Sequence, residues 1–286
     1  MLLRQPSSTP LILNNVITLS NIHAIIPIMN KCIFATSLLL LVFSNFTFAQ
    51  TPQSEVSLDH VIVAVSDLGK AADTFIELGF TLKNGRLHRN GLNNKHIKFK
   101  DESSLELMTV QGEAKDDMAK AYQQFLNQGE GGIYVAFKAP FDLVMEKADK
   151  LGISYQVSFG DPFSYLTFED EALRHVFFIN YGISFSDPDS ITTHRNNTQG
   201  IKSVWIQSSS VFIELLISLG ADFKGILRTP DNKQNAVYRL NGYDYIIDES
   251  SDSNPRVMGI LFDTTEIPTL EWLPPSSTHG IWVGFR

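Results

Sequence analysis

The chain has 286 residues, 43% of them hydrophobic, and carries a formal net charge of −8 with a pI near 5.3. This composition is typical of a globular protein with enough apolar side chains for one large core or two smaller ones. The acidic balance argues against a nucleic-acid backbone as the main partner.

Residues 29–49 have the three-part pattern of a signal peptide. A short basic start precedes an apolar stretch that is too short for a membrane span of about 20 residues. Thr47-Phe48-Ala49 then supplies the small residues of a cleavage site. We therefore expect an exported protein, periplasmic or secreted, beginning near Gln50, and we interpret residues 1–28 as an upstream extension of the gene model. An uncleaved membrane anchor is the alternative, and mass spectrometry of the mature N-terminus distinguishes the two.

Cys32 is the single cysteine of the chain and lies within the predicted signal peptide. The mature chain would then contain no cysteine, which excludes disulfides, thiolate metal ligands and a cysteine nucleophile. Any chemistry has to come from histidines, carboxylates, hydroxyls, lysines or arginines.

The mature chain opens with elements in the order β-α-β-β-β, within residues 58–110. The apolar run 58–65 predicts a strand. Ser66-Asp67 then starts a helix over 68–78, whose apolar residues recur at helical spacing before Gly79 ends it. Further strands are predicted at 80–82, 95–100 and 105–110, with a Gly/Asn-rich loop over 85–94.

The same order of elements returns twice. A connecting helix is predicted at 116–126, and the second unit follows with a strand at 133–138, a helix at 141–151, and strands at 153–158 and 174–181. The third unit has a strand at 201–207, a helix at 211–219, and strands at 236–240, 243–248, 258–262 and 280–285. Each unit's helix ends in Leu-Gly. Repeated units of this size indicate duplication around a shared site.

His60 and Glu106 are the first candidate site residues, because side chains alternate between the two faces of a strand. His60 shares a face with Ile62 on the first strand, and Glu106 lies in the apolar sequence Ser-Leu-Glu-Leu-Met. A carboxylate there is expensive to bury without a partner. The two residues could form a hydrogen-bonded pair or bind one cation, and both alternatives stay open from the residues alone.

Five motifs in order resemble a glyoxalase-like domain of the vicinal oxygen chelate superfamily. They are Leu-Asp-His60 with the strand that follows, Leu-Gly79-Phe, Gly85…His88-x-x-Gly91-x-x-Asn94, Ser-Leu-Glu106-Leu, and His175-Val-Phe-Phe-Ile-Asn-Tyr. His194-Arg-Asn196, placed before Gly200-Ile-x-x-Val-Trp, also resembles the family. The match is good over about 57–210.

The resemblance implies an α+β fold, in which repeated βαβββ modules form an open, curved mixed β-sheet barrel with the helices outside. We expect a glyoxalase-like domain at 50–190, with modules 58–110 and 131–182. A third βαβββ-like module at 191–286 would complete or extend the fold.

The resemblance also implies a metal or small-ligand site, with His60 and Glu106 at the positions of superfamily metal ligands. A divalent ion such as Zn, Mn, Fe, Ni or Co would suit an imidazole and a carboxylate. The usual histidine of the second module is missing, because Gly132 aligns with His60. His88, in the Gly/Asn loop, is the candidate third ligand, and a loop histidine bonded to backbone is the alternative.

Four further residues are candidates for binding the substrate. Asn94 and His96 fall on one strand face and could line the cavity, although Asn94 could equally be a turn residue. His194 and Asn196 look like a loop-closing hydrogen-bond pair that could also touch ligand.

Two functions follow from these predictions. One is a metal-dependent enzyme of lyase, isomerase or dioxygenase type acting on a small oxygenated metabolite. The other is a non-catalytic protein that binds a small molecule in the same cavity without metal. The expected partner is a small-molecule ligand, with no nucleic acid and no membrane after signal cleavage, and a homodimer is compatible with either function. The fold alone does not choose between them.

Overall fold

A computed structural model describes residues 55–183, 186–249, 254–265 and 270–286. The predicted extension at 1–28 and the signal peptide at 29–49 lie outside the described residues, so export stays a prediction. The described residues belong to the compact unit Gln53–Arg286.

The first module has the predicted order of elements. The Asp67 carboxylate caps the start of its helix by accepting hydrogen bonds from the backbone N–H groups of Gly69 and Lys70, both at 3.0 Å. The helix ends two residues before Gly79, whose φ of +92° turns the chain away. The elements are β1 (Ser57–Ala64), α1 (Leu68–Glu77), β2 (Lys83–Leu87), β3 (Leu92–Lys98) and β4 (Ser104–Val110).

The second and third modules repeat this order after a connecting helix, α2 (Asp117–Leu126). The second module consists of β5 (Gly131–Lys138), α3 (Phe141–Leu151), β6 (Tyr155–Ser158), β7 (Phe163–Phe168) and β8 (Val176–Tyr181). A short helix, α4 (Asp189–Thr192), leads to the third module, which is β9 (Thr198–Ser208), α5 (Ser210–Ser218), β10 (Asp222–Arg228), β11 (Gln234–Leu240) and β12 (Tyr243–Glu249). The chain closes with β13 (Arg256–Thr264), β14 (Glu271–Leu273) and β15 (Trp282–Phe285).

Hydrogen bonds join the fifteen strands of the described ranges into one mixed sheet. In the first sheet half, which holds the first two modules, the strand order is β2-β3-β4-β1-β5-β8-β7-β6. In the second sheet half it is β10-β11-β12-β9-β13-β15-β14. The halves meet where β5 pairs with β13 at Gly132 and Val257. The α+β fold of repeated modules with an open, curved sheet is confirmed, and the division at residue 190 stays a prediction.

The first sheet half is covered differently on its two faces. On one face, Val61, Val63 and Leu105 belong to the main core, which also includes residues of α1 and α3 and continues into the second sheet half. On the other, Ile62 and Met108 pack with residues of α2 in a smaller cluster. We call this second face, which also carries His60 and Glu106, the inner face.

Several strand predictions were wrong. No strand forms at 80–82, and most of the predicted loop at 85–94 belongs to the hairpin of β2 and β3. The sequence pattern also missed β7, β10 and β14. β2 and β10 lie at sheet edges with mostly exposed side chains, so they lack the alternation that a half-buried strand shows.

Within the part of the chain that the structure describes, no helix has both the length and the apolar character needed to cross a membrane.

Candidate functional site

The inner face brings His60 and Glu106 together. β1 and β4 run parallel with Ile62 opposite Glu106, which sets the His60 and Glu106 side chains beside each other. His60 Nε2 lies 3.5 Å from Glu106 Oε2, and the two side chains are only 12% and 9% exposed. Strand alternation gave each residue a face of its own strand, and the structure brings those two faces together.

Asp59 joins this pair because β1 is irregular where it passes β5. The register shifts between Leu58 and His60, so that Asp59 has no opposite residue on β5. Bulges of this kind redirect a side chain. The Asp59 carboxylate accepts a hydrogen bond from His60 Nδ1 at 2.5 Å and another from the Tyr181 hydroxyl at 2.7 Å.

The imidazole of His60 lies between the carboxylates of Asp59 and Glu106, and both affect its pKa. Burial by itself would lower the pKa of His60, but the hydrogen bond from His60 to Asp59 and the charges of Asp59 and Glu106 raise it above its usual value. Burial would likewise raise the pKa of Asp59, but its hydrogen bond and charge interaction with His60 bring it below its usual value. Asp59 and His60 therefore stabilise each other's charged forms.

Glu106 is also held from its other side. Asn94 Nδ2 donates a hydrogen bond to Glu106 Oε1 at 2.5 Å, and Asn94 Oδ1 accepts one from the backbone N–H of Arg86 at 2.9 Å. A Cβ atom at Gly85 would lie 1.9 Å from Asn94 Oδ1, so this close approach requires glycine. A continuous chain of hydrogen bonds and ion pairs thus runs from Tyr181 to β2.

His96 and His88 lie near Glu106 as neutral side chains. His96 is directly opposite Glu106 in the pairing of β3 with β4, and burial lowers its pKa to about 4. His88 follows β2, and burial lowers its pKa while the Glu106 charge opposes the shift. His88 Nε2 is buried and has no hydrogen-bond partner among the described residues.

The second module contributes an aromatic wall that the sequence analysis did not assign to the site, although Phe177 lies within one of the quoted motifs. The Phe177 ring on β8 stands edge-on to His60 at 5.7 Å and lies 6.0 Å from both Tyr134 and Tyr165. Tyr122 of α2 continues the wall, at 5.5 Å from Tyr134. Strand alternation in 133–138 and 174–181 is the signal that could have assigned Tyr134 and Phe177 to this face.

His194 and Asn196 use their polar atoms elsewhere. His194 Nδ1 accepts from the backbone of Thr81 at 3.0 Å, and its Nε2 donates to the backbone of Lys98 at 3.0 Å. Its ring packs on phenylalanines of the main core, while Asn196 donates to the backbone of Leu78 at 2.8 Å. The structure uses both residues to fasten the third module to the first and does not bring them to His60.

The donor set on the inner face does not complete a tight metal site. Among the described residues, no group of three or more His, Cys, Asp or Glu side chains is arranged to hold a metal ion. His60 and Glu106 supply two donors, whereas such sites usually have three protein ligands. The second module offers Tyr134 and Phe177 instead. Gly132, which aligns with His60, could carry a side chain only if Val257 moved, because its Cβ would lie 2.4 Å from that of Val257.

The described residues combine paired βαβββ modules with a polar chain around His60 and Glu106 and an aromatic wall beside it. Residues 58–212, more than half of the chain, match the family model described as "Glyoxalase-like domain". The chain belongs to this family, as the motifs predicted. No curated protein matches the sequence.

Solved structures with this fold have low sequence identity to the chain. A hypothetical protein from Staphylococcus aureus aligns with a TM-score of 0.57 at 15% identity, over 81% of this chain and 99% of that one. A single-residue variant of homoprotocatechuate 2,3-dioxygenase from B. fuscum gives a TM-score of 0.55 at 12% identity, over 83% and 73%. A xylose isomerase-like TIM barrel/4-hydroxyphenylpyruvate dioxygenase fusion protein gives 0.51 at 12%, over 77% of this chain and 38% of that one. At this identity the similarity concerns the fold.

Proposed function

We propose that the protein binds a small oxygenated aromatic molecule on the inner face, without needing a metal ion. The observation that supports this is the buried chain Asp59–His60–Glu106–Asn94 facing the ring of Phe177. Ligand sites of this type are mostly apolar, with a few fixed polar groups that orient the ligand.

Each part of the site has a role in this proposal. The Glu106 carboxylate accepts a hydrogen bond from a ligand hydroxyl, because ionised carboxylates only accept. Phe177 and Tyr134 contact the ligand ring, since aromatic pairs prefer edge-on or offset arrangements. The Lys98 charge acts on Asp59, His60 and His96 and would also suit an anionic group on the ligand.

Two probes test the proposal, homoprotocatechuate and 4-hydroxyphenylpyruvate, which are aromatic acids with a hydroxylated ring. We expect at least one of them to bind, with NMR shift changes centred on His60 and Phe177. Glu106→Gln should weaken its binding about tenfold, since the ligand hydroxyl would then donate to a neutral amide oxygen instead of a charged carboxylate. Isothermal titration calorimetry measures the loss.

Glu77→Gln is the matched control, because it makes the same substitution at a carboxylate on the exposed side of α1. It should leave the dissociation constant unchanged. Binding that maps outside the inner face, or that is equally strong in Glu106→Gln, would contradict the proposal.

A divalent-metal enzyme is the second candidate. Asp59 holds His60 Nδ1 and leaves Nε2 beside Glu106, and a carboxylate behind a histidine is common around metal ligands. The unpartnered Nε2 of His88 is the nitrogen that would have to complete the set.

Metal retention separates the two candidates. After loading with Zn²⁺, Mn²⁺, Fe²⁺, Co²⁺ or Ni²⁺ and gel filtration, we expect elemental analysis to find substoichiometric metal, with no difference between wild type and His88→Ala. His279, which pairs with Glu130, is the control histidine. Stoichiometric metal that is lost in both His60→Ala and His88→Ala, but kept in His279→Gln, would establish a metal site and favour the metal enzyme instead.

A further inference from the structure

Asp59 contacts His60 at Nδ1, whereas Glu106 lies beside Nε2, and Tyr181 in turn contacts Asp59. Asp59 is only 8% exposed, and its Oδ1 binds both His60 Nδ1 at 2.5 Å and the Tyr181 hydroxyl at 2.7 Å. Neither residue belongs to the pair of positions that the family motifs pointed to, His60 and Glu106. Asp59 is therefore an unassigned group in direct contact with His60, and Tyr181 reaches the site through Asp59.

We propose that Asp59 is the positioning residue of His60, and that Tyr181 holds Asp59 in place for this task. This assignment rests on the proposed function only in taking His60 as a binding group. Asp59 keeps a proton on Nδ1 and directs Nε2 toward Glu106. Without that contact the ring could rotate about its χ2 angle, which would put Cδ2 in the place of Nδ1 and Cε1 in the place of Nε2.

The backbone supports this assignment. Adjacent residues of a regular strand point to opposite faces, so Asp59 could not reach His60 Nδ1 without the irregular register at this point. The edge-on Phe177 ring limits the remaining motion of the imidazole. Because Asp59 lies on β1 and Tyr181 and Phe177 lie on β8, the second module fixes the orientation of a site residue carried by the first.

The test uses the Nδ1 proton of His60, which a short hydrogen bond to a carboxylate moves far downfield in the proton NMR spectrum. We expect wild type to show this resonance and His60→Gln to lack it, which assigns it. Asp59→Asn should lose it and should weaken binding of the probe acids about tenfold, as removing the partner of a functional histidine commonly does. Tyr181→Phe should keep the resonance at a shifted position.

Tyr155→Phe is the matched control, because it removes a tyrosine hydroxyl on β6, and it should leave the resonance in place. Persistence of the resonance in Asp59→Asn, or its absence from wild type, would overturn the proposal. If Asp59→Asn fails to fold, an unchanged resonance in Tyr181→Phe would overturn it equally. The resonance is read without ligand, so failure of the probe acids to bind would count against the proposed function and not against this assignment.

Discussion

A His175→Phe variant is expected to resist acid unfolding better than wild type. Between pH 7 and pH 4.5, its free energy of unfolding should fall by about 2–3 kcal/mol less than that of wild type. His175 is 1% exposed, its ring packs edge-on against Phe212 at 5.2 Å, and neither ring nitrogen has a hydrogen-bond partner among the described residues. Burial, with a smaller contribution from the Arg174 charge, lowers its pKa from 6.5 to about 3.

The direction of this effect follows from proton binding in the folded and unfolded states. Between pH 6.5 and about 3 the unfolded chain protonates His175 and the folded chain does not, so the stability associated with the neutral ring is lost as the pH falls. Phenylalanine keeps the ring contact and has no proton to bind. Urea unfolding of wild type and variant at pH 7 and pH 4.5 measures the two losses of stability. The contributions of the other titrating groups cancel when one loss is subtracted from the other.

His175→Leu is the companion variant, because it removes the ring as well as the nitrogens. It should show the same resistance to acid if protonation is the cause. Equal losses of stability in wild type and both variants would show that His175 binds its proton equally well in the folded and the unfolded chain, and the prediction would be wrong.

Gly132→Ala is expected to lower the free energy of unfolding by about 2–3 kcal/mol. The added Cβ would lie 2.4 Å from the Cβ of Val257 and 2.7 Å from its carbonyl oxygen. Val257 is 1% exposed and pairs with both β5 and β9, so neither strand can move aside without disturbing the other. Thermal and urea unfolding measure the loss.

Gly182→Ala is the control for this change, because its added Cβ would meet only the Pro162 carbonyl oxygen at an ordinary 3.5 Å. Its effect should stay within about 0.5 kcal/mol. Equal stability of Gly132→Ala and wild type would mean that β5 and β13 separate easily at this point.

Sequence pattern predicted best the elements that have both a buried face and clear ends. The helix at 141–151 matches α3, where Gly152 at a φ of +68° ends it. β1 and β4 were found because apolar residues fill both faces. β7 was missed because its polar and aromatic residues alternate without a continuous apolar face, and β14 because it has three residues.

The candidate site could be predicted only in part. His60 and Glu106 were found because strand alternation assigns a face to each. Asp59 was not, because its direction depends on an irregular register with β5 that strand alternation does not show. Phe177 and Tyr181 reach the site from β8, and only the pairing of two distant segments brings them there.

The edge strands β2 and β10 have a consequence for how copies of this protein meet in solution. An open strand edge can pair with another chain and start aggregation. β2 opposes this with Lys83 and Arg86 and with an uneven register against β3, while β10 carries Lys224 and a bulge before Gly225, whose φ is +129°. The polar, irregular character that concealed both strands from pattern analysis thus discourages edge-to-edge association, even though Phe223 and Ile226 are exposed on β10.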